Sequence, residues 1–449
     1  MSKGRRHGPA ASTAPLPAEL LARLAMQTDA SALREALEDT PSVSVRYNPF
    51  KPTEWAGEPV PWCALGRYLA DRPRFTLDPQ LHAGAYYVQE ASSMLIEQAY
   101  LQGRPAAGPL RVLDLCAAPG GKSGHLASLL PEGSLLVANE LDRTRLAVLQ
   151  ENLWKQGRPG VVITHDRTEA FAALPGAFEL VLVDAPCSGE GMMRRDPFAR
   201  AQWSPALVQQ CALVQRKILD HAWTALAPGG TLIYSTCTWA PEEDEQQVEE
   251  LITLTGALPI ALELNAEWGM ERGPLGVRCY PHRVRGEGFF LSVLRKPGAF
   301  HDLVLDAHHA GANSFPELQW LIDPGRWSCT MQEDIAHVVE AAHHAFVQRL
   351  MAAVRTAAPG TPALFQKGGE ARPHPALALS TALHHEFWPT IDLEHEQALA
   401  YLRGESLSTS AARGTALMRY HGLALGWSQG AGKRWNNQWP KPWRIRMQA

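Results

Sequence analysis

An alternation of apolar strands and amphipathic helices in the middle of the chain restricts the possible folds most strongly. Between Leu110 and Cys237, nearly continuous apolar runs predict the buried strands RVLDLCA, SLLVANE, VVITHD, FELVLVDAP and GTLIYSTC. Helical segments such as DRTRLAVLQENLWKQ separate them. Strands that are apolar on both faces and joined by helices predict an α/β fold with a mostly parallel, doubly wound sheet.

The regions on either side of this α/β unit differ from it in periodicity. Residues 1–15 predict a flexible tail, and residues 16–80 mix helical spacing with the strand pattern SVSVRYNPFK, as in a small N-terminal α/β domain. A late strand, GEGFFLSVLRK, closes the central unit, which we assign to residues 81–299. Residues 300–449 begin with a long helical pattern, MQEDIAHVVEAAHHAFVQRLMAAVRTA, and end in a tryptophan-rich stretch.

Composition limits the class of protein and its surroundings. With 449 residues, 45% of them hydrophobic and 20% charged, the chain predicts a globular protein of two or three domains. No apolar run reaches the roughly 18–20 residues that span a bilayer, and the basic start lacks the apolar segment of a secretory signal. The seven cysteines form no C-x-x-C pair, which argues against a disulfide framework and a zinc site. We therefore expect a cytoplasmic monomer without metal or membrane contact.

The stretch VLDLCAAPGGKSGHLASLL combines a strand, a turn of small residues and the start of a helix. Gly120 and Gly121 allow backbone amides to approach a ligand at that helix N-terminus. A Walker loop would require glycine where Cys116 stands, and the first glycine of the dinucleotide fingerprint would fall on Pro119. The loop is therefore suited to an uncharged or cationic nucleoside ligand.

Three acids follow successive predicted strands, namely Glu140, Asp166 and Asp184. Each one alone is explained as well by a helix cap or a loop residue. In an open α/β sheet, however, the carboxyl ends of the strands meet at one edge, and ligands bind there. Acids at this edge suit S-adenosylmethionine, which carries ribose hydroxyls and a sulfonium cation, and we predict it as the cofactor.

Two cysteines, Cys187 and Cys237, end the fourth and fifth predicted strands on the same edge. A thiolate is a suitable nucleophile for carbon 6 of cytosine, because its addition makes carbon 5 electron-rich enough to attack a methyl sulfonium. Such a cycle also needs help in eliminating the thiolate. The residues alone do not decide which cysteine attacks and which one assists.

Several motifs together resemble one known family. They are YYVQEASSML, LDLCAAPGGK, NE at Asn139 and Glu140, DAPCSGEGMMRRDP, YSTCTWAPEEDE and PHRVRGEGFF. In this order, over about residues 40 to 296, they are similar to the Nol/Nop/Sun-type RNA cytosine-5 methyltransferases. The resemblance implies a class I, Rossmann-like methyltransferase fold whose late strand runs antiparallel to the others.

The same resemblance implies roles for individual residues. Cys237 is the nucleophile and Cys187 assists release, while Asp184 and Lys122 complete the catalytic set. The residues implied for cofactor binding are Cys116, Ala117, Ala118, Pro119, Gly120, Gly121, Lys122, Glu140, Asp166 and Asp184.

RNA contacts are expected from basic residues in three regions. The C-terminal stretch LGWSQGAGKRWNNQWPKPWRIR interleaves tryptophans with lysines and arginines, as in proteins that stack unpaired bases. It is similar to the PUA-like end of bacterial family members that modify 16S ribosomal RNA, the methyltransferase F group. We also expect RNA binding by the N-terminal domain and phosphate contacts by five arginines, namely Arg194, Arg195, Arg200, Arg283 and Arg285.

The sequence therefore predicts an S-adenosylmethionine-dependent RNA cytosine-5 methyltransferase that acts on 16S ribosomal RNA, with transfer RNA as the alternative substrate. A non-catalytic RNA-binding ribosome assembly factor is a second alternative, but two thiols, three acids and an intact loop argue against a vestigial site. A small-molecule methyltransferase is a third, and it would have no use for paired cysteines or a basic tail.

Overall fold

The computed structural model describes residues 14–54, 56–303 and 316–447. Most of the predicted N-terminal tail lies outside these residues. Within them the chain forms four β-sheets, the largest of which occupies the centre of the molecule.

The N-terminal part combines two helices with a small antiparallel sheet of strand order β2-β3-β1-β4. Its elements are α1 (Ala18–Leu24), α2 (Ala30–Glu38), β1 (Val43–Tyr47), β2 (Glu58–Pro59), β3 (Gly66–Leu69), α3 (Pro79–His82) and β4 (Tyr86–Val88). The sheet thus includes a strand beyond residue 80, where we placed the domain boundary. Helices α1 and α2 pack against Trp203 and Trp239 of the central unit.

The central part alternates strands and helices, as the apolar pattern predicted. Its elements are α4 (Ile96–Gly103), β5 (Arg111–Asp114), α5 (Gly121–Leu129), β6 (Leu135–Asn139), α6 (Arg143–Gln156), β7 (Val161–Thr164), β8 (Phe178–Asp184), α7 (Pro197–Gln202), α8 (Pro205–Ala225), β9 (Leu226–Thr236), α9 (Glu245–Thr255), β10 (Leu258–Pro259), β11 (Glu271–Arg272), β12 (Val277–Cys279) and β13 (Phe289–Arg295).

The central sheet has its first strand in the middle. Strands β7, β6, β5, β8 and β9 are parallel in that order, and β13 pairs antiparallel with β9. Neighbouring residues of β5 enter different cores, since Val112 packs in one apolar cluster and Leu113 in another. The sheet is therefore covered on both faces, and the predicted Rossmann-like fold with an antiparallel late strand is confirmed. The order in which strands are added to the sheet reverses between β5 and β8, since β6 and β7 lie on one side of β5 and β8 and β9 on the other. Such a switch point opens a crevice at the carboxyl ends of the two strands.

The C-terminal part adds two smaller sheets. Its elements are β14 (Trp327–Gln332), β15 (Ile335–Glu340), α10 (His344–Ala353), β16 (Thr356–Ala358), β17 (Thr361–Lys367), β18 (Glu370–Pro373), α11 (Pro375–Leu379), β19 (Thr390–Asp392), α12 (His395–Arg403), β20 (Leu407–Ala412), β21 (Thr415–Tyr420), β22 (Leu423–Gly430) and β23 (Gly432–Asn437). Strands β14, β15, β17 and β18 form one sheet, and β19 to β23 form the other.

The long helix predicted over residues 331–357 is wrong. This stretch begins with the end of β14 and continues through the turn and second strand of the β14–β15 hairpin, with Glu333 at φ 52° in the turn. Its only α-helix among the described residues is α10, preceded by a 3-10 turn at Ala341–His343. Tertiary contacts explain the difference. β15 pairs with β14 on one side and β17 on the other, and its residues Ala336, Val338 and Val339 are buried. Strand β16 then joins the edge of the central sheet beside β7.

Candidate active site

The two predicted thiols meet at the carboxyl edge of the central sheet. Strands β8 and β9 are parallel neighbours with Asp184 opposite Ser235, so the loops that follow them start side by side. Cys237 comes directly after β9, and Cys187 lies three residues after β8. Their Sγ atoms are 2.9 Å apart, and the Cys237 amide lies 3.3 Å from the Cys187 sulfur.

A lysine–carboxylate pair lies beside the thiols. Helix α5 begins at Gly121, and its second residue, Lys122, places Nζ 2.8 Å from Oδ2 of Asp184. Ser235 donates a hydrogen bond to Oδ1 of the same carboxylate at 2.8 Å. Burial alone would lower the pKa of Lys122, but the Asp184 carboxylate raises it above its ordinary value, so Lys122 is a cation at neutral pH.

The surroundings of Cys187 keep its thiol protonated. The hydrogen bond to Cys237, together with burial, raises the pKa of Cys187 well above its ordinary value. Cys187 therefore keeps its proton at neutral pH and can donate it toward the Cys237 sulfur. The Lys122 cation also interacts electrostatically with Cys237.

Both features open into a cavity of about 1060 Å³. Ten of the predicted site residues line it, namely Cys116, Ala117, Ala118, Pro119, Gly121, Lys122, Glu140, Asp184, Cys187 and Cys237. Gly120 and Asp166 are not in the lining of this cavity. Gly120 instead forms the turn into α5 with φ 104°, a left-handed conformation that favours glycine.

The acids after β6 and β7 have different surroundings. The Glu140 carboxylate lines the cavity and accepts a hydrogen bond from the Asp142 amide at 2.8 Å. The Asp166 carboxylate accepts the amides of Arg167 at 2.8 Å and Arg355 at 2.9 Å. Both of its oxygens thus have backbone partners within the protein, and its role in cofactor binding stays a prediction.

Sequence reasoning missed five further acids of the lining, namely Glu90, Asp114, Asp142, Glu169 and Glu287. Asp114 ends β5, accepts a hydrogen bond from the Ser123 hydroxyl at 2.6 Å, and has its pKa raised to about 7, chiefly by burial. Glu90 and Glu287 enter from the segments before α4 and β13. Asp114 could have been found from its position at the end of a strand. Glu90 and Glu287 could have been found from their places in the motifs YYVQEASSML and PHRVRGEGFF.

Two of the arginines expected to contact phosphate are structural. Arg194 forms an ion pair with Glu287 at 3.0 Å, and its side chain is almost completely buried. Arg200 is also buried and donates to the Leu37 carbonyl at 2.8 Å and the Glu38 carboxylate at 3.0 Å. Because these guanidinium groups bind within the protein, the phosphate prediction is wrong for both.

The other three arginines lie nearer to solvent. Arg195 lines the cavity. Arg283 pairs with Glu271, and Arg285 pairs with Glu58, at the surface.

The C-terminal tryptophans are core residues, so their prediction as exposed stacking platforms is wrong. Trp427, Trp435, Trp439 and Trp443 are each at most 8% exposed. On β23, Trp435 is buried while its neighbours Lys433 and Arg434 are exposed. The basic side chains Lys433, Arg434, Lys441 and Arg446 remain exposed.

A second thiol cluster lies away from the cavity. The Cys63 thiol (3.1 Å) and His125 Nε2 (2.9 Å) both contact Oε2 of Glu97, and the Ala64 amide donates to Oε1 at 2.9 Å. The ligand atoms of these three side chains lie within 4.8 Å of one another, and no other such group of possible metal ligands occurs in the described residues. Burial lowers the pKa of His125 to about 4, so its ring is neutral at pH 7.

No helix among the described residues is long and apolar enough to cross a membrane.

Family models match three separate segments of the chain. Residues 105–295 match the 16S rRNA methyltransferase RsmB/F domain, residues 16–91 the N-terminal domain of 16S rRNA methyltransferase RsmF, and residues 389–445 the methyltransferase RsmF PUA domain. Ribosomal RNA small subunit methyltransferase F of Klebsiella pneumoniae is 31% identical over 418 residues, which cover 87% of this chain and 85% of that protein. The chain belongs to the methyltransferase F family.

Other relatives agree over shorter stretches. The methyltransferase F of Serratia proteamaculans is 38% identical over 273 residues, which cover 59% of this chain and 57% of that protein. Among solved structures, a methyltransferase homolog from Pyrococcus horikoshii is 26% identical with a TM-score of 0.52, covering 63% of this chain and 100% of that one. The family resemblance read from the motifs is thus confirmed.

Proposed function

We propose that this chain is an S-adenosylmethionine-dependent methyltransferase that forms 5-methylcytosine in 16S ribosomal RNA. The observation that carries the proposal is the meeting of Cys187 and Cys237 at 2.9 Å beside the Lys122–Asp184 pair. A small-molecule methyltransferase needs no second thiol at this position. All seven cysteines are free, which suits the reducing cytoplasm in which ribosomes are built.

The residues of the cavity fit the proposed cofactor. The loop from Cys116 to Gly121 brings backbone groups to the N-terminus of α5, and the buried Glu140 carboxylate, 5% exposed, lines the same space. A carboxylate after the second strand is suited to the ribose hydroxyls, and small loop residues allow close approach of the rest. When bound, S-adenosylmethionine supplies the electrophilic methyl group.

Addition of Cys237 to the base is the first step that the site supports. The Cys237 thiolate bonds to carbon 6 of cytosine, and electron density moves to carbon 5 and ring nitrogen 3. We assign the Lys122–Asp184 pair to the nitrogen 3 edge of the ring, where a fixed cation and hydrogen bonds stabilise the developing charge. Carbon 5 then accepts the methyl group.

Release of the product requires the second thiol. Solvent water takes the carbon 5 proton, and the electron pair of that C–H bond re-forms the carbon 5–carbon 6 double bond. The bond from carbon 6 to the Cys237 sulfur breaks, and its electron pair returns to the sulfur as a thiolate. Cys187 keeps its proton and lies 2.9 Å from that sulfur, so its thiol can stabilise the returning negative charge. The two cysteines therefore differ in role, with Cys237 as nucleophile and Cys187 as the group that assists release.

Contacts to RNA outside the cavity are assigned to exposed basic side chains of the C-terminal region. Lys433, Arg434, Lys441 and Arg446 are exposed on or near β23, above the tryptophan core. Phosphate neutralisation by such residues is salt-dependent and independent of sequence. Selection of the target nucleotide would then depend on the catalytic cavity and on the shape of the RNA-binding surface of the protein.

Single substitutions of the cysteines test this function. With 16S ribosomal RNA and labelled cofactor, Cys237→Ala should abolish both methylation and any covalent protein–RNA adduct. Cys187→Ala should still attack and transfer the methyl group, and then stall as a methylated adduct on a denaturing gel. Cys329→Ala, which removes a buried thiol of a distant sheet, is the matched control and should turn over normally.

The pattern of adducts decides the assignment. An adduct in the Cys237 variant but not in the Cys187 variant would reverse the two roles. Normal turnover in both variants would exclude covalent catalysis by these thiols.

A further inference from the structure

The loop that carries Cys187 is held from both sides by two buried side chains that take no part in the chemistry described above. Ser188 donates its backbone amide to Oε2 of Glu243 at 2.9 Å. Gln215 Nε2 donates to the Pro186 carbonyl at 2.9 Å and to the same Glu243 oxygen at 2.8 Å. The peptide groups immediately before and after Cys187 are thus both fixed by one carboxylate–amide pair.

Glu243 is itself anchored to the loop of the other cysteine. It lies six residues after Cys237, its amide donates to the Ala240 carbonyl at 2.9 Å, and the Tyr234 hydroxyl donates to its carbonyl at 2.5 Å. The Glu243 side chain is completely buried, as is Gln215 on α8. The carboxylate therefore connects a rigid segment after the nucleophile to the backbone around the second thiol.

Further hydrogen bonds join the two loops at residues that follow Cys187. The hydroxyls of Ser188 and Thr238 lie 3.0 Å apart, and the Gly191 amide donates to the Cys237 carbonyl at 2.9 Å. Neither contact holds the Pro186 carbonyl. Without the Glu243–Gln215 pair, the peptide before Cys187 would keep no described side-chain partner. The Cys187 sulfur would then be held only by its contacts with the Cys237 sulfur at 2.9 Å and the Cys237 amide at 3.3 Å.

We propose that Glu243 and Gln215 are positioning residues for product release, because they hold the Cys187 thiol against the Cys237 sulfur. This inference rests on the proposed function, in which Cys187 assists release. Attack by Cys237 needs only its own loop and the Lys122–Asp184 pair. The first half of the reaction should therefore tolerate loss of the Glu243–Gln215 pair. Release should not, since misplacement by about 1 Å costs on the order of 100-fold in rate.

The test compares Glu243→Ala and Gln215→Ala with the conservative Glu243→Gln, using 16S ribosomal RNA and labelled cofactor. We expect both alanine variants to form the methylated adduct in a single turnover at a rate within about 3-fold of the normal one. Their release of free methylated RNA should fall by about 100-fold, so that adduct accumulates as in Cys187→Ala. Glu243→Gln keeps an oxygen acceptor for Ser188 and Gln215 and should restore release to within about 3-fold.

A matched control removes a buried carboxylate near the start of β8, the strand whose far end leads into the Cys187 loop. Glu179 is a buried carboxylate, 7% exposed, that accepts the Arg111 amide at 2.7 Å near the start of β8. Glu179→Ala should lower stability without changing the ratio of adduct to released product. If Glu243→Ala fails to fold, Gln215→Ala carries the test, because it removes the hydrogen bond to Pro186 and leaves the carboxylate bound to Ser188.

Three outcomes would overturn the inference. They are normal release in folded Gln215→Ala and Glu243→Ala, equal losses of adduct formation and release, and an unchanged defect in Glu243→Gln. Failure of the proposed function is distinguishable, since the unsubstituted protein would then form no methylated RNA and Cys187→Ala would form no adduct.

Discussion

Two clusters in this molecule contain the same kinds of residues, thiols and acids, but have different surroundings. At the sheet edge, Cys187 and Cys237 lie beside the Lys122–Asp184 pair and line the large cavity. The other cluster joins Cys63, Glu97 and His125, whose polar atoms bind one another beneath the surface. In the first cluster the side chains leave room for a reacting base, whereas in the second they satisfy one another. Thiols, acids and burial alone therefore do not identify a catalytic site.

The electrostatic partners of the two clusters also differ. Asp184 is partly exposed, with 30% of its side chain accessible, and its cation faces the cavity. Glu97 is 4% exposed, and the Arg46 guanidinium that interacts with it is 3% exposed. The first charge pair can respond to a substrate, while the second can only stabilise the fold. Three substitutions test this difference.

The largest effect is expected from Lys122→Met in the catalytic cluster. Loss of the cation should lower turnover by about 10²–10³-fold, because charge that develops on the base would be left unstabilised. The free energy of unfolding should change by at most about 1 kcal/mol, since Asp184 keeps its Ser235 hydrogen bond and contact with water. Rates of methyl transfer and urea unfolding measure the two quantities. Turnover close to normal would remove Lys122 from the catalytic set.

Glu97→Ala should have the opposite profile. It leaves the buried Arg46 guanidinium without its counter-charge and the Ala64 amide unpaired, so the free energy of unfolding should fall by about 3–5 kcal/mol. Methyl transfer per folded molecule should be unchanged. Unaltered stability would contradict this account. A transition metal found in the purified protein and lost in the variant would show instead that the cluster is a metal site.

A smaller, pH-dependent effect is expected from His125. Burial lowers its pKa from 6.5 to about 4, so the unfolded chain binds a proton between these values that the folded protein does not. The stability that depends on neutral His125 is therefore present above pH 6.5 and is lost as the pH falls toward 4, by about 2–3 kcal/mol. His125→Gln, which can still donate to Glu97, should lose less stability over this range by that amount. Parallel pH profiles would contradict the prediction.

Much of the catalytic unit could be predicted from the sequence. The continuous apolar strands and the polar residues at their ends indicated the sheet and its functional edge, because parallel strands present their carboxyl ends on one side. Cys187, Cys237, Lys122, Asp184 and Glu140 accordingly line one cavity. Asp114 was missed because the predicted strand RVLDLCA runs past it, although β5 in fact ends there.

The C-terminal region was predicted less well, because its patterns are ambiguous. Apolar residues over 331–357 fit helix and strand spacing equally, and pairing with β17 selected the hairpin. The interleaved tryptophans and basic residues were interpreted as one surface, but packing buries the tryptophans in a core and leaves Lys433, Arg434, Lys441 and Arg446 exposed.

The sequence by itself determined the parallel α/β sheet, the glycine turn and the presence of two thiols at neighbouring strand ends. These follow from local spacing and from the fixed direction of parallel strands. Only the tertiary structure decided that the lysine cation interacts with Cys237, which arginines are buried, and that Glu243 and Gln215 hold the Cys187 loop. Such relations join residues from distant parts of the chain, and their side chains are oriented by packing that no local pattern encodes.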